Sequence, residues 1–349
     1  MKLLVSALEH SANVHLRYLV KELGSDIELS GIFDASLGKS IVDLRSTAIM
    51  GFVDALTKLP FFFRLKDQMV ELAHDADKVL LIDSSGFNLP LAKTIRKRYP
   101  NKEIIYYILP QAWAWKKKRI PVLEKTITKL CSILPFEPSY YSSNAPIQYV
   151  GHPLLDEITV QKTSLEPTGI VTFMPGSRPG EIKKLMGIFK EVRTRIECQA
   201  MLVIPSHFTA EKIAELYGDT SAFTITHDAH TTLSQSDFAF ICSGTATLEA
   251  CLIRTPFVLV YIAKKLDYII GRALIKLDFA GLGNLLFMHQ FGKSLHPELI
   301  QNAVTPENLY NSYIQMDREK FFNDAGALRS LLKEGSARRV SEIIKETNV

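Results

Sequence analysis

Short apolar runs recur along the first half of the chain, separated by stretches of helical periodicity. Residues 3–8, 27–33, 78–83, 103–109 and 129–134 read as strands. Between them, residues 13–23 place Val14, Leu16, Leu19 and Val20 at helical spacing, and residues 87–99 form a second helical pattern. The runs are continuously apolar rather than alternating, which marks strands buried on both faces. Helices between such strands imply a parallel, doubly wound sheet.

Residues 161–168 are polar, contain Pro167 and read as a linker. The pattern then restarts with strand Ile170–Met174, helix 181–196 and strands 200–204, 222–226 and 237–242. Helix Thr245–Ile253 and strand 256–262 follow, and beyond Leu286 the pattern is helical, through 318–333 and 336–347. A chain of 349 residues suits two domains. The expectation is an α/β architecture of two Rossmann-like domains, 1–165 and 166–349, with parallel sheets facing a central cleft. The last helix is expected to pack back on the first domain. In open parallel sheets, ligands sit beyond the carboxyl ends of the strands.

Composition narrows the class. Hydrophobic residues make up 47% and charged residues 22%, enough for large cores and against disorder. A net charge of +4 does not call for nucleic acid, but suits an anionic surface such as a bilayer. Cys131, Cys198, Cys242 and Cys251 form no C-x-x-C pair and read as free thiols of a reducing compartment. The apolar start is followed too soon by Glu9 for a signal peptide. The weakly charged region 238–263 is broken by Glu249, Arg254 and Pro256, and reads as strand–helix–strand, not a membrane span.

Candidate chemistry gathers at strand ends. Ser243-Gly244-Thr245 joins a strand to a helix, and a helix start preceded by small residues offers backbone N–H groups to a phosphate. Met174-Pro175-Gly176-Ser177-Arg178 is a second such junction, with a guanidinium that can pair with a phosphate. Glu249, one turn into its helix, suits a ribose diol or simply the helix dipole. Asp83 ends a strand and reads equally as a general base or as the cap of helix 87–99, a role Ser85 can also fill. Glu9 and Ser11 follow the first strand and read as a capping cluster. Trp113 and Trp115 precede Lys116-Lys117-Lys118-Arg119, a combination that suits a bilayer interface or an anionic amphiphile, or a solvated basic helix start. Val53, Leu56, Leu59, Phe61, Phe62, Phe63 and Leu65 crowd apolar groups beside Lys58, Arg64 and Lys66, so at least one Phe is expected to face a groove or lipid. Two nucleotide fingerprints fail. Phe33 stands where a phosphate loop ending in Gly38-Lys39-Ser40 needs glycine, and Gly281-Leu282-Gly283 lacks a third glycine.

Met50-Gly51-Phe52-Val53, Ile82-Asp83 with Phe87-Asn88, Trp113-Ala114-Trp115, Leu134-Pro135-Phe136-Glu137 and Val150-Gly151-His152 recur in order along the first half. Pro175-Gly176-Ser177-Arg178, Ser243-Gly244-Thr245-Ala246 with Leu248-Glu249, and Asn284-Leu285-Leu286 continue the series. In order and spacing they resemble the lipid A disaccharide synthases, inverting glycosyltransferases of the GT-B type. The resemblance implies transfer of 2,3-diacylglucosamine from its UDP conjugate to the 6-hydroxyl of 2,3-diacylglucosamine 1-phosphate. The products are a β-1,6 disaccharide of lipopolysaccharide biosynthesis and UDP, with no cofactor or metal. It implies Asp83 as base and Arg178, Ser243, Gly244, Thr245, Glu249 and Asn284 on the nucleotide. Glu9, Ser11 and Trp115 would line the acceptor side, and Val53, Leu56, Leu59, Phe62 and Phe63 would meet the membrane. The expected setting is cytoplasmic, peripheral on the inner membrane of a Gram-negative-type bacterium, without nucleic acid; a homo-oligomer stays open.

The family's early motif, Gly-Glu-x-Ser-Gly-Asp, stands here as Leu8-Glu9-His10-Ser11-Ala12-Asn13, and Gly86 replaces a second acidic residue after the base. These changes fall on the acceptor side. Two alternatives remain: another UDP-sugar enzyme of the same fold, of the peptidoglycan glycosyltransferase or UDP-sugar epimerase type, and a non-catalytic UDP-binding membrane-surface module.

Overall fold

A computed structural model describes residues 1–42, 59–114, 116–263 and 279–346. Val53, Leu56 and Trp115 lie outside the described residues, as does the side chain of Leu59. The chain forms two compact units, Met1–Glu157 with Leu332–Val349, and Ile158–Leu331.

The first unit runs β1 (Lys2–Ser6), α1 (His10–Leu23), β2 (Glu28–Ile32), β3 (Lys39–Ser40), α2 (Leu59–Asp75), β4 (Lys78–Ile82) and α3 (Ser85–Arg98). It continues through β5 (Glu103–Tyr107), α4 (Ile120–Thr126), β6 (Lys129–Ser132), β7 (Ile147–Tyr149) and α5 (Leu154–Glu157). Its parallel sheet has the order β3-β2-β1-β4-β5-β6-β7. Every residue of β4 and β5 is buried, as continuous apolar runs require. Successive side chains divide between the two faces. Leu4, Val79, Leu81 and Tyr106 pack with Leu65 and Met69 of α2 and Leu91 and Ile95 of α3. Leu3, Val5, Leu80 and Tyr107 pack with Leu16 and Leu19 of α1 and, from far along the chain, Val340, Ile343 and Ile344.

The second unit runs β8 (Ile170–Met174), α6 (Pro179–Arg195), β9 (Gln199–Val203), α7 (Ala210–Tyr217), β10 (Thr224–Thr226), α8 (Ala229–Gln235) and β11 (Phe238–Cys242). Then come α9 (Thr245–Ile253), β12 (Phe257–Tyr261), α10 (Leu282–Phe291), β13 (Glu298–Ile300), α11 (Pro306–Gln315) and α12 (Arg318–Leu331). Its sheet is also parallel, in the order β10-β9-β8-β11-β12-β13. Phe173 stacks on Phe240 across neighbouring strands, ring centroids 5.1 Å apart, at the centre of a core shared with Phe189 of α6.

Both sheets are wound alike. The chain starts in the middle, builds outward to one side, then returns to the middle and builds to the other. The reversal falls between β1 and β4 in one sheet and between β8 and β11 in the other. Such a reversal is where open α/β sheets hold ligands.

The last helix, α13 (Ser336–Lys345), belongs to the first unit. Asp156 accepts from the backbone N–H groups of Gly335 and Ala337 at 2.6 and 2.8 Å, and Tyr107 Oη shares a hydrogen bond with Ser336 Oγ at 2.8 Å. Gly151 has φ +91° and approaches so closely that a Cβ there would lie 2.4 Å from the Lys333 carbonyl oxygen. The division after Glu157 precedes the polar stretch at 161–168, where the sequence placed it. Lys162 explains the difference. Its backbone N–H donates to Ile253 O at 2.8 Å and its buried ammonium to Ser236 O at 3.0 Å, so this stretch is part of the second unit.

Candidate active site

The reversal in the first sheet ends in Asp83. Asp83 and Ser84 both take left-handed backbone conformations, φ +51° and +44°, which cost non-glycine residues about 1–3 kcal/mol each. The surroundings hold that turn in place. Asp83 N–H donates to Tyr107 O at 3.1 Å, while Asp83 O accepts from Tyr106 Oη at 2.7 Å and Asn88 Nδ2 at 2.8 Å. Asn88 is buried and in turn accepts from Ser6 Oγ at 2.6 Å. The sequence offered Asp83 or Ser85 as the cap of the following helix. Neither serves: Ser85 is already helical, and the residue before it, Ser84, makes no side-chain cap. The Asp83 carboxylate is thus left for chemistry. Burial pushes its pKa above the ordinary carboxylate range, opposed by the Ser84 N–H and the charge of His15.

Around this turn, Glu9 precedes α1 and accepts from Ser84 Oγ at 3.2 Å, while Ser11 lies half-buried in the first turn of α1. Leu8 and Ala12 stand where the family motif has glycine, yet neither has positive φ, so the backbone here needs no glycine. Asn13 caps no helix end; it lies inside α1 and is buried. Its amide donates to Ala7 O and Glu9 O, both at 2.8 Å, and accepts from Asp34 N at 2.7 Å, tying the β1–α1 turn to the end of β2. Sequence reasoning missed three participants. His15 pairs with Glu157 in a largely buried bond, and Arg119 donates to Ser85 Oγ at 3.1 Å, bringing the basic run to the Asp83 turn. His15 lies on the inward side of α1, and that periodicity was its one available signal. His152 is buried and kept neutral, its pKa lowered to about 3 by burial and by His15.

The second sheet's reversal ends in Cys242-Ser243-Gly244-Thr245. Gly244 sits at φ +155°, ψ −166°, a region reserved for glycine, with nothing within 4 Å of where a Cβ would be. Helix α9 begins at Thr245 with no side-chain cap and no acidic residue in its first turn. Two neighbouring helix starts differ. At α6, Gly176 (φ +94°) lets the chain pass Glu181, whose Oε2 a Cβ would meet at 2.6 Å. Arg178 Nη1 donates to Glu181 Oε1 at 2.9 Å. At α10, Glu298 accepts from Ala280 N at 2.7 Å and Gly281 N at 3.0 Å. Both starts therefore carry a carboxylate from the chain itself. The junction at 174–178, expected as a second phosphate turn, also has no side-chain cap; it differs from the start of α9 in carrying Glu181 in its first turn and the exposed Arg178 guanidinium paired with it.

Asn284 corrects the sequence reading. It is fully buried, with Nδ2 donating to His296 O (2.9 Å) and Glu298 Oε1 (2.8 Å), and Oδ1 accepting from Leu295 N (2.7 Å) and His296 N (3.0 Å). All its hydrogen-bonding capacity is spent inside the protein, so its amide shapes the 294–298 segment and has nothing left for a nucleotide. Glu249 is accessible and has His230 Nε2 3.4 Å from its Oε2, a neighbour that sequence spacing did not reveal.

Of the three consecutive phenylalanines, Phe61 and Phe62 pack against the core, with Phe62 6.2 Å from Phe87. Phe62 is therefore only partly exposed. Phe63 is 58% exposed with Lys66 Nζ 5.5 Å from its ring centre. Trp113 is a core residue, its ring edge-on to Phe136 at 4.9 Å. Among the described residues no group of His, Cys, Asp or Glu could hold a metal ion, and no helix is long and apolar enough to cross a membrane.

Comparison with known proteins agrees with this geometry. Structurally, the chain is similar to a UDP-N-acetylglucosamine 2-epimerase from Listeria monocytogenes described as putative (TM-score 0.63, 16% identity, 99% of this chain and 95% of that one). It is also similar to MurG from Acinetobacter baumannii (TM-score 0.57, 13% identity, 99% of each chain). At such identities the likeness shows the fold alone, two Rossmann-like parallel sheets as in GT-B proteins. In sequence, the chain is 47% identical over 352 residues to the lipid-A-disaccharide synthase of Helicobacter pylori strain G27, covering 97% of this chain and 96% of that one. The model of the lipid-A-disaccharide synthetase family matches residues 3–338, a span that takes in Asp83, the 243–245 turn and the first residues of α13. On that match and that identity over nearly its whole length, this chain belongs to the lipid-A-disaccharide synthetase family.

Proposed function

We propose that the chain transfers 2,3-diacylglucosamine from its UDP conjugate to the 6-hydroxyl of 2,3-diacylglucosamine 1-phosphate. The observation that carries the reading is Asp83: a half-buried carboxylate at a sheet reversal, on a strained turn clamped by Tyr106, Tyr107 and Asn88. Its carboxylate takes the proton of the acceptor hydroxyl as that oxygen attacks the anomeric carbon. The bond to the UDP oxygen breaks on the opposite face, and the electron pair leaves with UDP. One displacement inverts the anomeric centre, so one base suffices. A raised pKa makes Asp83 a stronger base toward a hydroxyl than an exposed carboxylate.

In the second unit, the N–H groups at the start of α9, a helix without a side-chain cap whose turn is shaped by Ser243, Gly244 and Thr245, receive the diphosphate. Arg178, exposed and paired with Glu181, adds a positive charge, and Glu249 takes the ribose hydroxyls. Glu9 and Ser11 border the acceptor. Both substrates are acylated, and Phe63 with Arg64 and Lys66 suits an anionic bilayer surface, which supports a setting at the cytoplasmic face of the inner membrane.

The test is product analysis with acylated UDP-glucosamine and acylated glucosamine 1-phosphate. A β-1,6-linked disaccharide 1-phosphate with stoichiometric UDP supports the reading. UDP released without disaccharide, or transfer only to a different acceptor, overturns it.

A further inference from the structure

His230 and Glu249 are brought together by the fold from separate helices of the second unit. α8 opens after β10 with Asp228 as its cap, whose Oδ1 accepts from Thr231 N at 3.0 Å. That cap fixes the first turn of α8, and His230 stands in it. α9 opens after β11 at the uncapped helix start, and Glu249 lies one turn further along. The two side chains meet with Nε2 3.4 Å from Oε2, Glu249 at 18% and His230 at 33% exposure. Among the described residues, Glu249 from α9 and Asp228 from its own helix start flank the imidazole.

A carboxylate that is to accept two neighbouring hydroxyls must present its oxygens in one orientation. A glutamate free to rotate loses side-chain freedom when a ligand fixes it. An imidazole N–H on one oxygen reduces that loss in advance and leaves the remaining lone pairs for a diol. We propose that His230 is a positioning residue for the nucleotide ribose: it holds the Glu249 carboxylate in the orientation that accepts the ribose hydroxyls. The inference rests on the assignment of Glu249 to the ribose and goes beyond it, since His230 acts through Glu249.

The experiment is calorimetric titration of the full chain with UDP and with 2′,3′-dideoxy-UDP, for the native protein and for His230→Ala, His230→Gln and Glu249→Gln. His230→Ala is expected to weaken UDP about 5- to 10-fold, the size of one ordinary hydrogen bond. His230→Gln, which can place an amide N–H near the same oxygen, should recover most of that loss. Against the dideoxy nucleotide, His230→Ala and the native protein should bind alike, because the diol that Glu249 serves is gone. In turnover, His230→Ala should raise KM for the UDP-sugar more than it lowers kcat. An equal loss for both nucleotides shows general damage to the site and overturns the proposal. Unchanged UDP binding by His230→Ala overturns it too. If Glu249→Gln also binds UDP as tightly as the native protein, the ribose assignment falls with it; if Glu249→Gln is weakened, only the role of His230 falls.

Discussion

The two sheet reversals occupy the same place in the same winding, yet they are finished in opposite ways. In the first unit the strand end carries a carboxylate, and its turn is made by two non-glycine residues forced into left-handed conformations by surrounding hydrogen bonds. In the second unit the strand end carries a serine and a glycine, and the turn stays open in front of a helix start with no side-chain cap. One turn presents negative charge and the other positive potential. The difference shows that topology fixes where a ligand-facing turn arises, while the first two or three residues after the strand decide what it can do.

The comparison breaks most sharply at Asp83. Asp83→Asn keeps the side-chain size and the tolerance for the left-handed turn, so turnover should fall about 10²–10⁴-fold while UDP affinity stays unchanged. Retained turnover would remove the base from the first reversal. The raised pKa also sets a direction. Its carboxylate loses base function as pH falls through a value above the ordinary carboxylate range, so the acid limb of kcat/KM should lie above that range. The same burial of charge weakens the fold at neutral pH, so Asp83→Asn should raise Tm there. That gain should vanish below the ordinary carboxylate pKa, where both forms are neutral.

At the other reversal, Gly244→Ala forces a side chain into φ +155° and should weaken UDP about 10-fold, read by calorimetry, with turnover lost in proportion at low donor concentration. Unaltered affinity would show that the diphosphate does not approach this turn. Asn284→Ala separates support from contact. Removing its amide strips partners from buried backbone groups and should cost about 2–4 kcal/mol in a denaturant melt. Affinity for UDP in the surviving folded protein should change little.

A smaller effect belongs to Glu137, just after β6 in the first unit. Burial lifts its carboxyl to about 8, with a Ser132 hydroxyl donating at 2.6 Å as the opposing influence. The folded-state value lies above the unfolded one, so the stability it contributes is full at low pH and is lost as pH rises through about 8. Tm should therefore fall across that interval in the native protein and fall less in Glu137→Gln. Parallel curves would show that Glu137 ionises freely.

Much of this arrangement was legible in the sequence because fully buried parallel strands leave unbroken apolar runs. β1, β4, β5, β11 and β12 were each readable, and the residues just after β4 and β11 followed from them. β3, β7 and β13 were not, because these short strands are only partly buried and carry polar residues such as Lys39, Gln148 and Glu298. The left-handed pair at Asp83 and Ser84 was hidden for a different reason. No local preference of Asp-Ser demands it; Tyr106 and Asn88 impose it from elsewhere in the chain. Asn284 and the His230–Glu249 pair were equally out of reach, since what fixes their roles is contact across helices and loops rather than spacing.

The return of α13 to the first unit has a consequence for biosynthesis. Val340, Ile343 and Ile344 complete a core begun by Leu3 and Val5, so the first unit cannot close that layer until the whole of the second has been made. The second unit is continuous in the chain and can fold as soon as it emerges from the ribosome. The sheet face that includes Ile82 would then be waiting on its last helix when the Ser243–Thr245 turn is already formed. Synthesis that stops before residue 332 would leave a nascent chain with an exposed hydrophobic face, a natural substrate for chaperones and proteases.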